Sequence, residues 1–356
     1  MADIDVSKPW VILIPVGDAN MDTAKKCAEE LSRLLDLLRR RAGLTLPSPA
    51  ITDDAVQGSG GAAEFVLNYT EDSVRGNGFV WRAGESRIEI YGNSKRGLRK
   101  GLYNFLAALE IRWPEFGREE LPPVNPDSPA RYPLAGASAL QSDVNDPALI
   151  KRFLLPPGQS PKNREAAILW AARNSFDAIV IPLQDFPFRE RRGRLSLPAF
   201  ADLYALGIEA GGREFSSLVP RKLFFLHPNL FRMEAGRRKK EGLFCTTNPD
   251  TLTLIQKNAA GLFSRANTAI FHLWPENSTE ARWCSCPSCR AFSPEEQNRI
   301  AINAAADTLK TINPQALLSY YEPPNETDDH DTAEHSNQSG YIAPRENTFR
   351  LSTLPE

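Results

Sequence analysis

The sequence predicts an α/β protein of two domains: a small mixed α/β domain over residues 1–113, a linker over 114–133, and a (β/α)8 TIM-type barrel over 134–356. Three observations carry this. The first hundred residues alternate strand and helix patterns. Six prolines then fall between Pro114 and Pro133. After them, short apolar runs alternate repeatedly with helical periodicity, which implies a parallel sheet.

The elements follow in order. Trp10 to Val16 is a short apolar run suited to a buried strand. Cys27, Leu31, Leu34, Leu35 and Leu38 recur at helical spacing. Asp22 is placed to cap that helix, Arg39 to Arg41 suit the negative end of its dipole, and Gly43 is placed to end it. Strands are expected at Glu64–Tyr69, Gly78–Arg82 and Arg87–Tyr91. Ser94 then caps a helix with Leu98, Leu102, Phe105, Leu106 and Leu109 on one face.

Beyond the prolines, strands are expected at Leu134–Leu140, Phe176–Leu183, Gly207–Glu214, Thr268–Trp274, Ala316–Tyr321 and Asn347–Leu354. Helices are expected at Glu165–Arg173, Leu197–Leu206, Asp250–Leu262 and Glu295–Lys310. Six strands fall short of the eight strands and ~250 residues of a complete barrel, so this one is expected to be incomplete at its C-terminus.

Composition narrows the function classes. Hydrophobic residues make up 42% and charged residues 24%, so the chain is neither disordered nor fibrous. The formal net charge of −2 points to no nucleic-acid partner. No basic segment leads an apolar core at the N-terminus, and no run approaches the ~20 apolar residues of a membrane span. The expectation is a cytoplasmic protein with no membrane partner. No dinucleotide fingerprint, phosphate loop or His-Glu-x-x-His motif is present.

Five cysteines remain to be explained: Cys27, Cys245, Cys284, Cys286 and Cys289. Cys284-Ser285-Cys286-Pro287-Ser288-Cys289 puts three thiols in one tight loop, and Cys245 is the natural fourth ligand of a tetrahedral zinc site. Four thiolates leave no open position, so such a zinc would be structural. Reduced thiols, or one disulfide, without metal are the other reading.

Two segments resemble known families. Ile90-Tyr91-Gly92-Asn93-Ser94-Lys95-Arg96-Gly97-Leu98, continuing through Gly101-Leu102-Tyr103-Asn104-Phe105-Leu106 to Arg112-Trp113, resembles the N-terminal accessory domain of α-glucuronidases and β-hexosaminidases. Ala42 to Pro47 resembles the first helix-to-strand turn of that domain. Further on, His227-Pro228-Asn229, Cys245-Thr246-Thr247-Asn248-Pro249 and Trp283 to Cys289 resemble an uncharacterised family of glycoside-hydrolase-like barrels. The chain departs from that family twice. Pro275 to Glu280 stands where an Asn-Asp-Gly-rich turn is usual, and Gly211-Gly212-Arg213 stands where Gly-Gly-His is frequent.

The resemblance implies carbohydrate chemistry on a uronic-acid or amino-sugar glycan. Glycoside hydrolysis typically needs two carboxyl groups, one to protonate the leaving oxygen and one to act as nucleophile or base. Glu276 follows the fourth strand and is the candidate acid; Glu322 follows the fifth and is the candidate second carboxylate. Solvated loop acids are the alternative for both. Asp143, Asp185, Arg213, Glu214, Trp274 and Tyr320 are candidates for substrate binding. Arg213 and Glu214 would bind a substrate carboxylate or pair with each other, and His227 and His272 read as structural histidines. A non-catalytic carbohydrate-binding or scaffold protein on a degenerate barrel is the competing reading of the whole.

Overall fold

The computed structural model describes residues 3–14, 21–52, 62–69, 78–134, 140–141, 148–186, 195–275, 283–321 and 345–351. The chain divides into two compact units. The first comprises Met1–Arg152, Gln159–Ile179 and Glu190–Gly207; the second comprises Phe153–Gly158, Val180–Arg189 and Ile208–Glu356.

The first unit opens with β1 (Asp3–Asp5) and β2 (Trp10–Leu13), then α1 (Met21–Arg41). It continues with β3 (Ala50–Thr52), β4 (Ala63–Tyr69), β5 (Phe79–Ala83), β6 (Arg87–Gly92) and α2 (Lys95–Ala108). Its main sheet has the order β3-β2-β4-β6-β5 with β8 (Leu140–Gln141) at the edge. The β2, β3, β4 and β6 pairings are parallel, and those of β5 are antiparallel. Leu31, Leu34, Leu35 and Leu38 of α1 are buried with Phe65, Leu67, Ile90 and Phe105. The helical period in the sequence is therefore the period of the face that the helix buries.

Capping behaves as the residue types dictate. The Ser94 hydroxyl accepts from the Gly97 amide at 3.0 Å and starts α2. Gly97 itself is required by close approach, because a Cβ there would lie 2.3 Å from the Gly78 carbonyl oxygen. Asp22 lies inside the first turn of α1 rather than ahead of it, where it still meets the positive helix end. Arg39, in the basic last turn, is buried and donates to the carbonyls of Val6, Lys8 and Pro47.

One expected strand is reassigned. The segment over 134–140 was expected to open the barrel, yet β7 (Arg131–Pro133) pairs with β1 and β8 pairs antiparallel with β5. Residues 135–139 lie outside the described residues. A short apolar run reads alike in either sheet, so its partner is set by pairing rather than by its own pattern. α3 (Pro161–Arg173) and α4 (Leu197–Leu203) belong to the first unit. Arg99 of α2 anchors α3 by donating to the carbonyls of Ala172 and Phe176.

The second unit is built on a six-stranded sheet of order β16-β15-β14-β11-β10-β9. The strands are β9 (Arg152–Leu154), β10 (Ala178–Ile181), β11 (Gly207–Gly212), β14 (Ile270–Leu273), β15 (Leu317–Tyr321) and β16 (Thr348–Leu351). The β11–β14, β14–β15 and β15–β16 pairings are parallel. α5 (Pro249–Phe263) and α6 (Pro294–Ile312) supply the helical layer. Asn248 caps α5, while Ser293 and Glu296 form a reciprocal capping box on α6.

Alternation along the strands sorts their residues between two faces. Ala210, Phe271, Leu273, Leu318 and Tyr320 pack with Ile255, Ala259 and Phe263 of α5 and Ala301, Ile302 and Leu309 of α6. On the other face Val180, Trp274 and Leu351 cluster with Leu154, Tyr321 and Phe349. A short antiparallel hairpin, β12 (Met233–Glu234) and β13 (Arg237–Arg238), precedes α5. This alternating strand-and-helix unit with a parallel sheet has the layering of a TIM-type barrel.

Candidate cysteine centre and barrel-interior site

Four thiols converge in the second unit. The Sγ atoms of Cys245, Cys284, Cys286 and Cys289 all lie within 4.8 Å of one another, and all four residues are buried. Cys245 stands 3.8 Å from Cys286 and 3.7 Å from Cys289, sulfur to sulfur. A disulfide needs about 2.05 Å. A tetrahedron of thiolates at about 2.3 Å from zinc has edges of about 3.8 Å. The spacing thus suits a tetrahedral metal ion rather than a crosslink, and the soft donor set is compatible with Zn²⁺.

The segments that carry the thiols are fastened independently. The Cys245 amide donates to the Leu230 carbonyl at 2.9 Å, which sets it beside the bridge between Phe231 and Phe244. The Met233 amide donates to Cys284 Sγ at 3.2 Å, and the Ser285 amide donates back to the Met233 carbonyl at 2.8 Å. Arg238 Nη1 lies 3.8 Å from Cys284 Sγ and places positive charge beside the thiolates. Hydrogen bonds from Cys284 and Cys289 hold the Cys245 thiol well below its ordinary range. Hydrogen bonds with Cys245 and Cys289 in turn push the Cys284 thiol up.

Sequence reasoning missed Gln297. This buried α6 side chain accepts from the Cys284 amide at 3.1 Å. Its amide group donates to the carbonyls of Cys284, Phe292 and Cys289. It therefore shapes the cysteine loop from behind. The available signal was a polar residue on the face of α6 that also carries Ala301 and Ala304.

A second buried polar group lies on the strand face opposite the helices. His272 of β14 bonds Glu209 Oε2 of β11 through Nε2 at 2.7 Å. Its Nδ1 bonds the Ser319 hydroxyl of β15. Trp274 Nε1 donates to Ser319 Oγ at 2.9 Å, and its ring lies 4.7 Å from the imidazole. One proton arrangement satisfies these bonds: Trp274 N–H to Ser319, Ser319 O–H to Nδ1, and Nε2–H to the Glu209 carboxylate. Register makes the group possible, since His272 is level with Ser319 and with Gly211.

Gly211 admits this approach. Its φ is +117°, and a Cβ there would sit 2.0 Å from the His272 carbonyl oxygen. The Gly212 carbonyl then accepts the Trp274 amide at 2.8 Å.

The structure distributes the remaining candidates as follows. Asp185, after β10, accepts the Gly158 amide with both oxygens, at 3.3 and 3.0 Å. Glu214, after β11, accepts the Leu183 amide at 3.0 Å. Burial pushes the Glu214 carboxyl above its ordinary value, against the pull of the Leu183 and Gln184 amides. Arg213 is exposed beside it. Trp274 is fully buried with its N–H in use. Tyr320 faces the helical layer, because Ser319 takes the opposite face and strand residues alternate. Trp283 packs between Phe215 and Phe244. His227 is exposed. Glu276, Glu322 and Asp143 lie outside the described residues. Among the described residues, no helix is long and apolar enough to cross a membrane.

No protein-family model matches the chain, and no curated protein matches it. Solved structures do. A family 20 exo-β-N-acetylglucosaminidase from Vibrio harveyi, crystallised with N-acetylglucosamine, superposes with a TM-score of 0.50 at 12% identity. That match covers 90% of this chain and 52% of the other. A second glycoside hydrolase family 20 β-N-acetylglucosaminidase gives a TM-score of 0.50 at 13% identity, covering 90% of this chain and 63% of its own. This chain thus spans about half to two thirds of the length of these two enzymes, and what it shares with them is the fold of a glycoside hydrolase.

Proposed function

We propose that this chain is a glycoside-hydrolase-type protein acting on a glycan that contains an amino sugar or a uronic acid. The observation that carries the reading is the pairing of β14 with β15 inside a family 20-like fold. The two strands are parallel neighbours with Leu273 level with Tyr320. Glu276 follows β14 by three residues, and Glu322 directly follows β15. Barrel enzymes carry their reacting groups at the C-terminal ends of such strands. Glu276 is assigned as general acid and Glu322 as the second carboxylate. Arg213, exposed after β11, is assigned to a substrate carboxylate.

The remaining binding assignments have narrower support. Asp185 and Glu214 hold loop amides, which shapes the rim that Asp143 would share. Trp274 and Tyr320 support the site from within the wall. The four cysteines are assigned to a structural Zn²⁺ held by Cys245, Cys284, Cys286 and Cys289. Four thiolates leave such an ion no open position, so it braces a loop and takes no part in bond cleavage.

The test is Glu276→Gln against a panel of amino-sugar and uronic-acid oligosaccharides, whose sugar leaving groups need the proton of a general acid. Loss of a general acid lowers turnover by roughly 10²–10⁴, with the thermal midpoint unchanged. Undiminished turnover removes Glu276 from the mechanism. The commitment of Asp185, Glu214 and Trp274 to internal hydrogen bonds favours a second reading, a non-catalytic carbohydrate-binding barrel. Glycan binding by the parent chain without cleavage would establish it.

A further inference from the structure

We propose that the turn and hairpin before α5 form a docking surface for an anionic phospholipid bilayer. This inference is independent of the glycan reading above. It starts from two exposed apolar side chains: Phe225 and Leu226 are each 78% exposed at the end of the 3₁₀ turn Arg221–Phe225. Residues three apart eclipse one another in a 3₁₀ turn, so Lys222 rises on the same side as Phe225. Lys240 Nζ sits 5.0 Å from the Phe225 ring centroid. Arg221 Nη1 holds that arrangement by donating to the carbonyls of Lys240 at 2.5 Å and Gly242 at 3.1 Å.

Charge complementarity selects the partner. Residues 221–241 carry seven Lys or Arg and two Glu, within a chain of net charge −2. Arg221, Arg232 and Arg238 are spent on carbonyls. Lys222, Arg237, Lys239 and Lys240 remain, and among the described residues none of them has an ion-pair partner. Exposed Phe225 and Leu226, with Lys222 and Lys240 beside Phe225, match the boundary between anionic headgroups and acyl chains. A sugar ring is a poorer fit, since Lys240 already lies against Phe225 and Leu226 offers no flat face. The platform is pinned to the cysteine centre through Met233 and Arg238, so the metal assigned there would keep it in shape.

The experiment is co-sedimentation of the full chain with phosphatidylcholine vesicles, with and without phosphatidylserine, at low and high salt. Binding is expected only with phosphatidylserine and is weakened by salt. Phe225→Ser with Leu226→Ser is expected to lower partitioning by about tenfold or more. Lys222→Glu is expected to lower it by about fivefold or more. Both variants change exposed residues and should keep the parent thermal midpoint and zinc content. Absence of binding to anionic vesicles overturns the proposal. So does equal binding to neutral ones, retention on a polyuronate gel without vesicle binding, or a self-associated chain that buries Phe225. Glycosidase activity is not read in any arm, so failure here leaves the glycan reading standing.

Discussion

Replacing His272 by leucine tests whether the polar group inside the sheet is a coupled unit. The imidazole gives Glu209 a charge-assisted hydrogen bond at 2.7 Å, and both residues are buried. Removing one partner of a buried pair costs about 3–5 kcal/mol, because the remaining charge keeps its desolvation cost. The Ser319 hydroxyl also loses its acceptor, adding roughly 1 kcal/mol. His272→Leu should therefore destabilise by about 4–6 kcal/mol. Glu209→Gln keeps an oxygen for Nε2–H and should cost only about 1–2 kcal/mol. Glu209→Leu combined with His272→Leu removes both polar groups and leaves Ser319 bonded to Trp274. It should cost less than His272→Leu alone, with a coupling of about 2–3 kcal/mol. Urea unfolding read by tryptophan fluorescence measures all three, and Trp274 reports from inside the group. A His272→Leu cost below about 1 kcal/mol, or a double-variant cost equal to the sum of the Glu209→Leu and His272→Leu single costs measured alongside it, would refute the reasoning.

Three further outcomes are expected. With zinc bound, none of the five cysteines should react quickly with a thiol reagent; a chelator should expose four of them. Cys27 should stay silent, because burial pushes its thiol to about 12; a count unaffected by chelation would exclude a metal from the cluster. Gly211→Ala should cost several kcal/mol or abolish soluble expression, since its Cβ would meet the His272 carbonyl oxygen at 2.0 Å in a backbone with φ of +117°. Glu214→Gln should make stability less dependent on pH. The folded carboxyl is raised, so its contribution is full below the ordinary carboxylate range and is lost as pH rises toward the raised folded value. The variant's urea midpoint should match the parent's at acid pH and exceed it at neutral pH.

Much of the local structure was legible before any coordinates. Ser94 starts α2 because a short polar side chain satisfies an amide that the helix leaves unpaired. The leucine spacing of α1 is the spacing of its buried face. The Cys284–Cys289 loop announced a cluster because three thiols in six residues have few places to go. Each of these depends on neighbours a few residues apart, where backbone geometry alone sets who meets whom.

Other features waited on the tertiary structure because they depend on which strands become neighbours. Gln297 reaches the Cys284 amide and carbonyl from α6, a contact that residue types along the chain do not announce. Of the strand expected over 134–140, Leu140 enters β8, and its pairing with β5 was not readable from the run itself. Tyr320 and Ser319 exchange faces with a register shift of one, so only pairing could send Tyr320 to the helices and Ser319 to His272. The sequence by itself determined the alternation of elements, their caps and the kinds of chemistry present. The fold decided which of those side chains share a wall, because sheet pairing joins residues that are distant along the chain.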